Sequence, residues 1–116
     1  QMASGRLKGW VCLHGSTLVG FCNGDGETGE VIVLAVLPDY ERRGIGAHLL
    51  SRVVEWLRSV GSDTIWLAAS PDTRIRAHGF YRSLGWRPNG KKHQNGDEIL
   101  VFDSDKTLPP NRTGVR

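Results

Sequence analysis

The feature that most constrains this chain is a change of period at its centre. Residues 30–37 read EVIVLAVL, an almost unbroken apolar run. A run of this length predicts a strand buried on both faces, in the middle of a sheet. Pro38-Asp39 ends it. From Ile45 to Val60 the apolar residues fall at Ile45, Leu49, Val53, Trp56, Leu57 and Val60, which is helical spacing. His48, Ser51, Arg52, Glu55 and Arg58 take the opposite face, and Gly61 is a C′ stop. Between strand and helix lies ERRGIG, residues 41–46.

The flanks supply more strands. Lys8–His14 and Thr17–Cys22, broken by Gly15-Ser16, predict a β-hairpin, and NGDGETG at 23–29 is a turn cluster. Residues 63–69, DTIWLAA, read as another central strand. Ser70-Pro71-Asp72 supplies cap and N1 signals for a shorter helix over Thr73–Leu84. Gly79 weakens that helix and Gly85 stops it. A short strand at Trp86–Arg87, a polar loop over Pro88–Asp97 and a last strand at Glu98–Asp103 complete the order β-β-β-α-β-α-β-β. The fold class is therefore α+β, or α/β-like: a sheet with helices packed across it. A chain of 116 residues fits one domain, placed at 1–104, with 105–116 as a tail.

Composition is that of a globular domain, with a net charge of +3. That excess suits an anionic ligand without demanding nucleic acid or a membrane. No apolar run reaches transmembrane length, and no leader pattern opens the chain. A tight turn at Gly15-Ser16 places Cys12 opposite Leu18 or Val19 rather than Cys22. Two reduced thiols, no metal site and a cytoplasmic location are the expectation.

ERRGIG followed by a helix has two physical readings. Unpaired N–H groups and the macrodipole at a helix N-terminus favour an anion, and glycines let a phosphate approach the backbone. Alternatively, the glycines serve close packing of strand on helix. The GxxxxGK[ST] loop is absent, and G44-I-G46 lacks the third glycine of the dinucleotide fingerprint.

V36-L-P38 followed by E41-R-R-G44-I-G46 resembles the (Q/R)xxGx(G/A) signature of the GNAT acyl-CoA N-acyltransferases. Downstream, A77-H-G-F80-Y81-R-S-L-G85-W86 resembles that family's A-x-x-FY-x-x-x-G-(F/W) segment. The two motifs span about residues 30–86. The resemblance implies a mixed, mostly antiparallel sheet flanked by helices and shortened at the N-terminus, where typical members carry a strand and two helices. It implies acetyl-CoA as cosubstrate. Backbone amides of Arg42, Arg43, Gly44, Ile45, Gly46 and Ala47 would grip the pyrophosphate. Leu34, Ala35 and Val36, on a strand that carries a bulge in the family, would hold the pantetheine arm. Glu41 departs from the usual Gln or Arg, but the grip is mostly backbone.

By the same resemblance Tyr81 is the general acid that protonates the departing thiolate; thiol and phenol pKa values near 8.5 and 10 make the transfer feasible. Arg74 stands where the family often has Asn and would reach a CoA phosphate. Glu30 is the candidate base. On strand alternation it shares a face with Ile32, Leu34 and Val36. A backbone N–H near Val36 would stabilise the oxyanion. His14, His78 and His93 show no partner in the sequence.

The leading expectation is an N-acetyltransferase moving acetyl from acetyl-CoA to a small-molecule or peptide amine by direct attack. A non-catalytic CoA-binding or regulatory module is the alternative, and a homodimer is left open. Nucleic-acid binding through Lys91, Lys92, Arg112 and Arg116 lacks the aromatic interleaving that would support it.

Overall fold

The computed structural model describes residues 6–102. The elements are β1 (Leu7–His14), β2 (Thr17–Asp25), β3 (Glu30–Val36), α1 (Ile45–Ser59), β4 (Trp66–Ala69), α2 (Arg76–Ser83), β5 (Trp86–Lys92) and β6 (Glu98–Phe102). They fall into two compact units, one ending at Ile65 and one starting at Trp66. The expected tail at 105–116 lies outside the described residues, as does Asp103.

In the first unit β1, β2 and β3 form an antiparallel meander, with β2 between its neighbours. Helix α1 covers one face. Its buried stripe is Leu49, Leu50, Val53, Val54 and Leu57; it is rotated from the expected face, for Ile45 and Trp56 are half-buried and Val60 is exposed, while His48, Ser51, Arg52, Glu55 and Arg58 are exposed as expected. Two glycines of β2 set how closely the helix approaches. A Cβ on Gly24 would stand 2.7 Å from Val53 Cγ1, and one on Gly20 3.2 Å from Leu49 Cδ1. A side chain at Gly24 would force Val53, which is fully buried, to shift, and one at Gly20 would crowd Leu49.

Register in this meander is set by two bulges. Cys12 pairs with Gly20 and Leu13 with Leu18, so Val19 is an extra residue in β2. Asn23 pairs with Val33 and Gly24 with Val31, so Ile32 is an extra residue in β3. The first bulge corrects the expected pairing of Cys12 with Leu18 or Val19. Cys22 pairs with Trp10 instead, and both cysteines are free thiols. The second bulge reverses alternation along β3. The central run is also less buried than its composition implies. Val31 is buried, Ile32 is 46% exposed, and Val33 to Val36 are half-buried.

In the second unit β6 lies between β4 and β5, antiparallel to both. Leu67, Trp86 and Leu100 are its buried apolar side chains among the described residues. In this unit three boundaries differ from expectation by more than one residue. β4 begins at Trp66, not Asp63. β5 runs on to Lys92 as an edge strand, and it tolerates Pro88 because an edge need not donate every N–H. Asn89 to Lys91 bow out against Ile99. Helix α2 begins at Arg76 rather than Thr73, because Asp72 spends its carboxylate locally. Asp72 accepts the Arg74 N–H at 2.9 Å and its own N–H donates to Ser70 Oγ. Ile75 is consequently extended, with φ −79° and ψ 129°. Among the described residues no helix is long and apolar enough to cross a membrane.

Candidate functional site

The strand-to-helix connection is built from the backbone outward. Leu37 N–H donates to the Val19 carbonyl, which ties the end of β3 to β2. Pro38–Tyr40 then form one 3₁₀ turn, closed by the Tyr40 N–H on Leu37 O and the Glu41 N–H on Pro38 O. Beyond it the chain twice enters the left-handed region, at Arg42 (φ 66°) and Gly44 (φ 82°). Arg42 is the only described non-glycine residue with positive φ. An arginine there costs about 1–2 kcal/mol relative to right-handed backbone.

Gly44 distinguishes the two readings of the loop. A Cβ built on it meets nothing within 4 Å, so close packing is not its role. The glycines that permit helix-on-strand contact are Gly20 and Gly24. Gly44 is required by its φ, and it is the N-cap of α1 with no side-chain cap. The first helical bond is His48 N–H to Gly44 O. Among the described residues the N–H groups of Arg42 through Ala47 have no hydrogen-bond acceptor. Left-handed residues alternating with ordinary ones curl successive N–H groups into an anion-binding concavity. Here Arg42 and Gly44 are the left-handed residues, and a helix N-terminus follows directly. The side chains of Arg42 and Arg43 are exposed.

Ahead of this loop, β3 presents Leu34 and Val36 on the α1 face and Ala35 on the other, since each shares a face with its partner on β2. The bulge at Ile32 puts Glu30 opposite Asp25, on the face of Val33 and Ala35. The expected face with Ile32, Leu34 and Val36 is therefore corrected. Glu30 is half-buried, and its N–H donates to Thr28 Oγ1. The turn before it is held by Asp25, which is 5% exposed. Asp25 accepts the N–H groups of Glu27 (2.8 Å) and Thr28 (3.3 Å) and an ion pair from Arg6 at 3.1 Å. The Arg6 hydrogen bond holds the Asp25 carboxyl below its usual range, aided by those backbone N–H groups and opposed by desolvation.

In the second unit, Tyr81 lies on α2, half-buried, with its ring edge-on to Phe80 (5.3 Å) and Trp86 (6.2 Å). Trp86, 1% exposed, is in turn packed on Phe102. The next residue, Arg82, donates to Glu98 Oε2 at 2.7 Å and to the His78 carbonyl at 3.1 Å, which fixes α2 to β6. Arg74 is 88% exposed, and its Nε and Nη2 are taken by Asp72 at 3.0 and 2.8 Å. A phosphate at Arg74 would compete with that carboxylate.

Sequence reasoning missed one cluster. His14 Nδ1 and Tyr40 Oη are 2.6 Å apart, and the Arg43 guanidinium stands 4.9 Å over the Tyr40 ring. No local pattern joins residues 14 and 40; the β1–β2–β3 meander does.

The fold is that of solved N-acetyltransferases. The PaiA N-acetyltransferase of Thermoplasma acidophilum, solved in complex with coenzyme A, superposes with a TM-score of 0.72 at 20% identity, over 84% of this chain and 61% of that one. At that identity the likeness is one of fold. The sequence profile of the Acetyltransferase (GNAT) family matches residues 2–86, and the chain belongs to that family. The mycothiol acetyltransferase of Stackebrandtia nassauensis is 32% identical over 77 residues, 66% of this chain and 22% of that protein. The amino-acid acetyltransferase of Azotobacter vinelandii is 36% identical over 66 residues, 57% of this chain and 14% of that protein. The chain thus spans less than a quarter of the length of these two relatives.

Proposed function

We propose that the protein transfers an acetyl group from acetyl-CoA to a primary amine by direct attack of the amine on the thioester. The observation that carries this reading is the loop 41–47. In a GNAT chain, it presents six N–H groups without acceptors at a helix N-terminus, through a left-handed Gly44 that packing does not require.

The residues fit the cosubstrate. Arg42, Arg43, Gly44, Ile45, Gly46 and Ala47 would receive the pyrophosphate, because its oxygens need N–H donors and the helix dipole favours their charge. Leu34, Ala35 and Val36 would carry the pantetheine arm on half-buried apolar surface. Bound acetyl-CoA supplies the activated acyl group as a thioester. A backbone N–H near Val36 would hold the carbonyl oxygen as charge develops on it. Glu30 would take the proton of the attacking ammonium, directly or through water, and Tyr81 would deliver one to the thiolate sulfur. Arg74 would meet a CoA phosphate in competition with the Asp72 carboxylate. As in the sequence reading, residues 1–104 are proposed to act as one acetyltransferase domain.

The test is calorimetric titration with acetyl-CoA, followed by a CoA-release assay over peptide N-termini, lysine peptides, polyamines and small amines. Binding with turnover on one amine class is expected. Binding without turnover on any amine would favour a CoA-binding module, and absence of binding would overturn the cosubstrate assignment.

A further inference from the structure

The arginines of the described chain divide by what occupies their donors. Arg6, Arg74 and Arg82 each spend their guanidinium on a carboxylate, Asp25, Asp72 and Glu98 respectively. Arg43 does not. Among the described residues it has no carboxylate partner, and what it has instead is the Tyr40 ring, 4.9 Å from its guanidinium carbon. The difference is chemical. A carboxylate takes one edge of the guanidinium and offsets its charge toward another anion, whereas an aromatic ring engages the cation through its π-face and leaves all five N–H donors and the full charge for another acceptor.

The ring is itself held. Tyr40 closes the 3₁₀ turn that follows Pro38, so its backbone is fixed on both sides. Its hydroxyl is 2.6 Å from His14 Nδ1 at the end of β1, and the two rings meet edge-on at 5.5 Å. An exposed arginine otherwise samples many rotamers and loses that freedom on binding. One laid on a braced ring has already lost part of it, so more of each new hydrogen bond appears as affinity. Arg42, its neighbour in the loop, has no such support among the described residues.

We propose that Tyr40, braced by His14, is a positioning residue that holds the Arg43 guanidinium beside the loop 41–47 to contact a phosphate of the CoA ligand. The inference rests on the acyl-CoA reading above and adds to it a side-chain arm with a defined support. The phosphate chemistry is shared by the pyrophosphate and the 3′-phosphate, and the choice of ligand separates them.

The experiment is a double-mutant cycle, read by calorimetric titration of the full chain with CoA and with dephospho-CoA. Thermal melts verify that each variant is folded. Arg43→Ala is expected to weaken CoA binding about tenfold or more, as loss of a charge-assisted contact does. Tyr40→Leu is expected to weaken it about two- to fivefold when Arg43 is present and not at all in the Arg43→Ala background. Tyr40→Phe, which keeps the ring and loses only the hydroxyl contact with His14, should lose less than Tyr40→Leu. A general effect of Tyr40 on the fold would weaken binding equally in both backgrounds, and that result overturns the proposal. Equal affinity of Arg43→Ala and wild type also overturns it, while leaving the cosubstrate reading intact. Failure of the wild type to bind CoA refutes both. An Arg43→Ala effect that disappears with dephospho-CoA supports the proposal and assigns the 3′-phosphate; one that persists supports it and assigns the pyrophosphate.

Discussion

Helix α1 carries a matched pair of glycines, one at each end, that separates loop conformation from stability. Gly44 (φ 82°) precedes the helix and Gly61 (φ 90°) follows it. A Cβ at either position meets nothing within 4 Å, so alanine adds no clash at either. The whole cost is the left-handed backbone, about 1–2 kcal/mol for an L-residue. Either substitution should therefore lower the melting temperature, by roughly 4–8 °C per kcal/mol for a domain of this size. Their effects on cofactor binding should diverge. In Gly44→Ala the chain relieves its strain by rotating φ at 44, which turns the N–H groups of Gly44 and Ile45 away from the anion. Losing even one charge-assisted hydrogen bond costs about tenfold in affinity. Gly61→Ala leaves the N-terminal loop untouched and should bind CoA as the wild type does. Calorimetric titration beside thermal melts of the two variants reads both quantities. Equal CoA affinity in the two variants, at equal stability loss, would refute the loop as the phosphate site.

Other outcomes follow from the same structure. Tyr81→Phe should lower kcat by about 10²-fold or more, the usual size of a lost general acid, with acetyl-CoA affinity nearly unchanged; an unaltered rate in the CoA-release assay would remove Tyr81 from the chemistry. Gly79→Ala should stabilise the protein by about 1 kcal/mol, because Gly79 is an exposed position within α2 and its Cβ would have open space; chemical denaturation measures it. Asp25→Asn should destabilise at neutral pH by about 1 kcal/mol, the Arg6 side chain being 46% exposed and its charge partly screened. The folded Asp25 carboxyl lies below its ordinary range, so its contribution is full above about pH 4 and is lost as pH falls through the folded value. The gap between wild type and Asp25→Asn should accordingly close in acid; a pH-independent gap would contradict the ion pair.

Much of the core topology could be read from the residues because period and punctuation agreed. The apolar run at 30–37, Pro38 after it and the polar face of α1 each point to one structure. What escaped the reading was whatever depends on a partner strand or a competing side chain. Val19 and Ile32 look like ordinary strand residues, and only pairing shows them to be extra. From them follow the partner of Cys12 and the face of Glu30. Asp72 carries a strong cap signal but turns its carboxylate on Arg74, so the helix begins later. Pro88 and Gly90 read as loop and are accommodated in an edge strand. The loop 41–47 was legible as an anion site or a packing turn. Two facts separate these, the left-handed Gly44 and the close contacts at Gly20 and Gly24, and both are three-dimensional.

The central claim is that the unbonded amides of Arg42 to Ala47 receive the phosphates of CoA. Amide proton–nitrogen correlation spectra of the labelled protein, recorded through a CoA titration, test it most directly. The account expects the largest shifts at residues 42–47, saturating together with the calorimetric binding curve. Saturable binding that leaves those amides unmoved would contradict it.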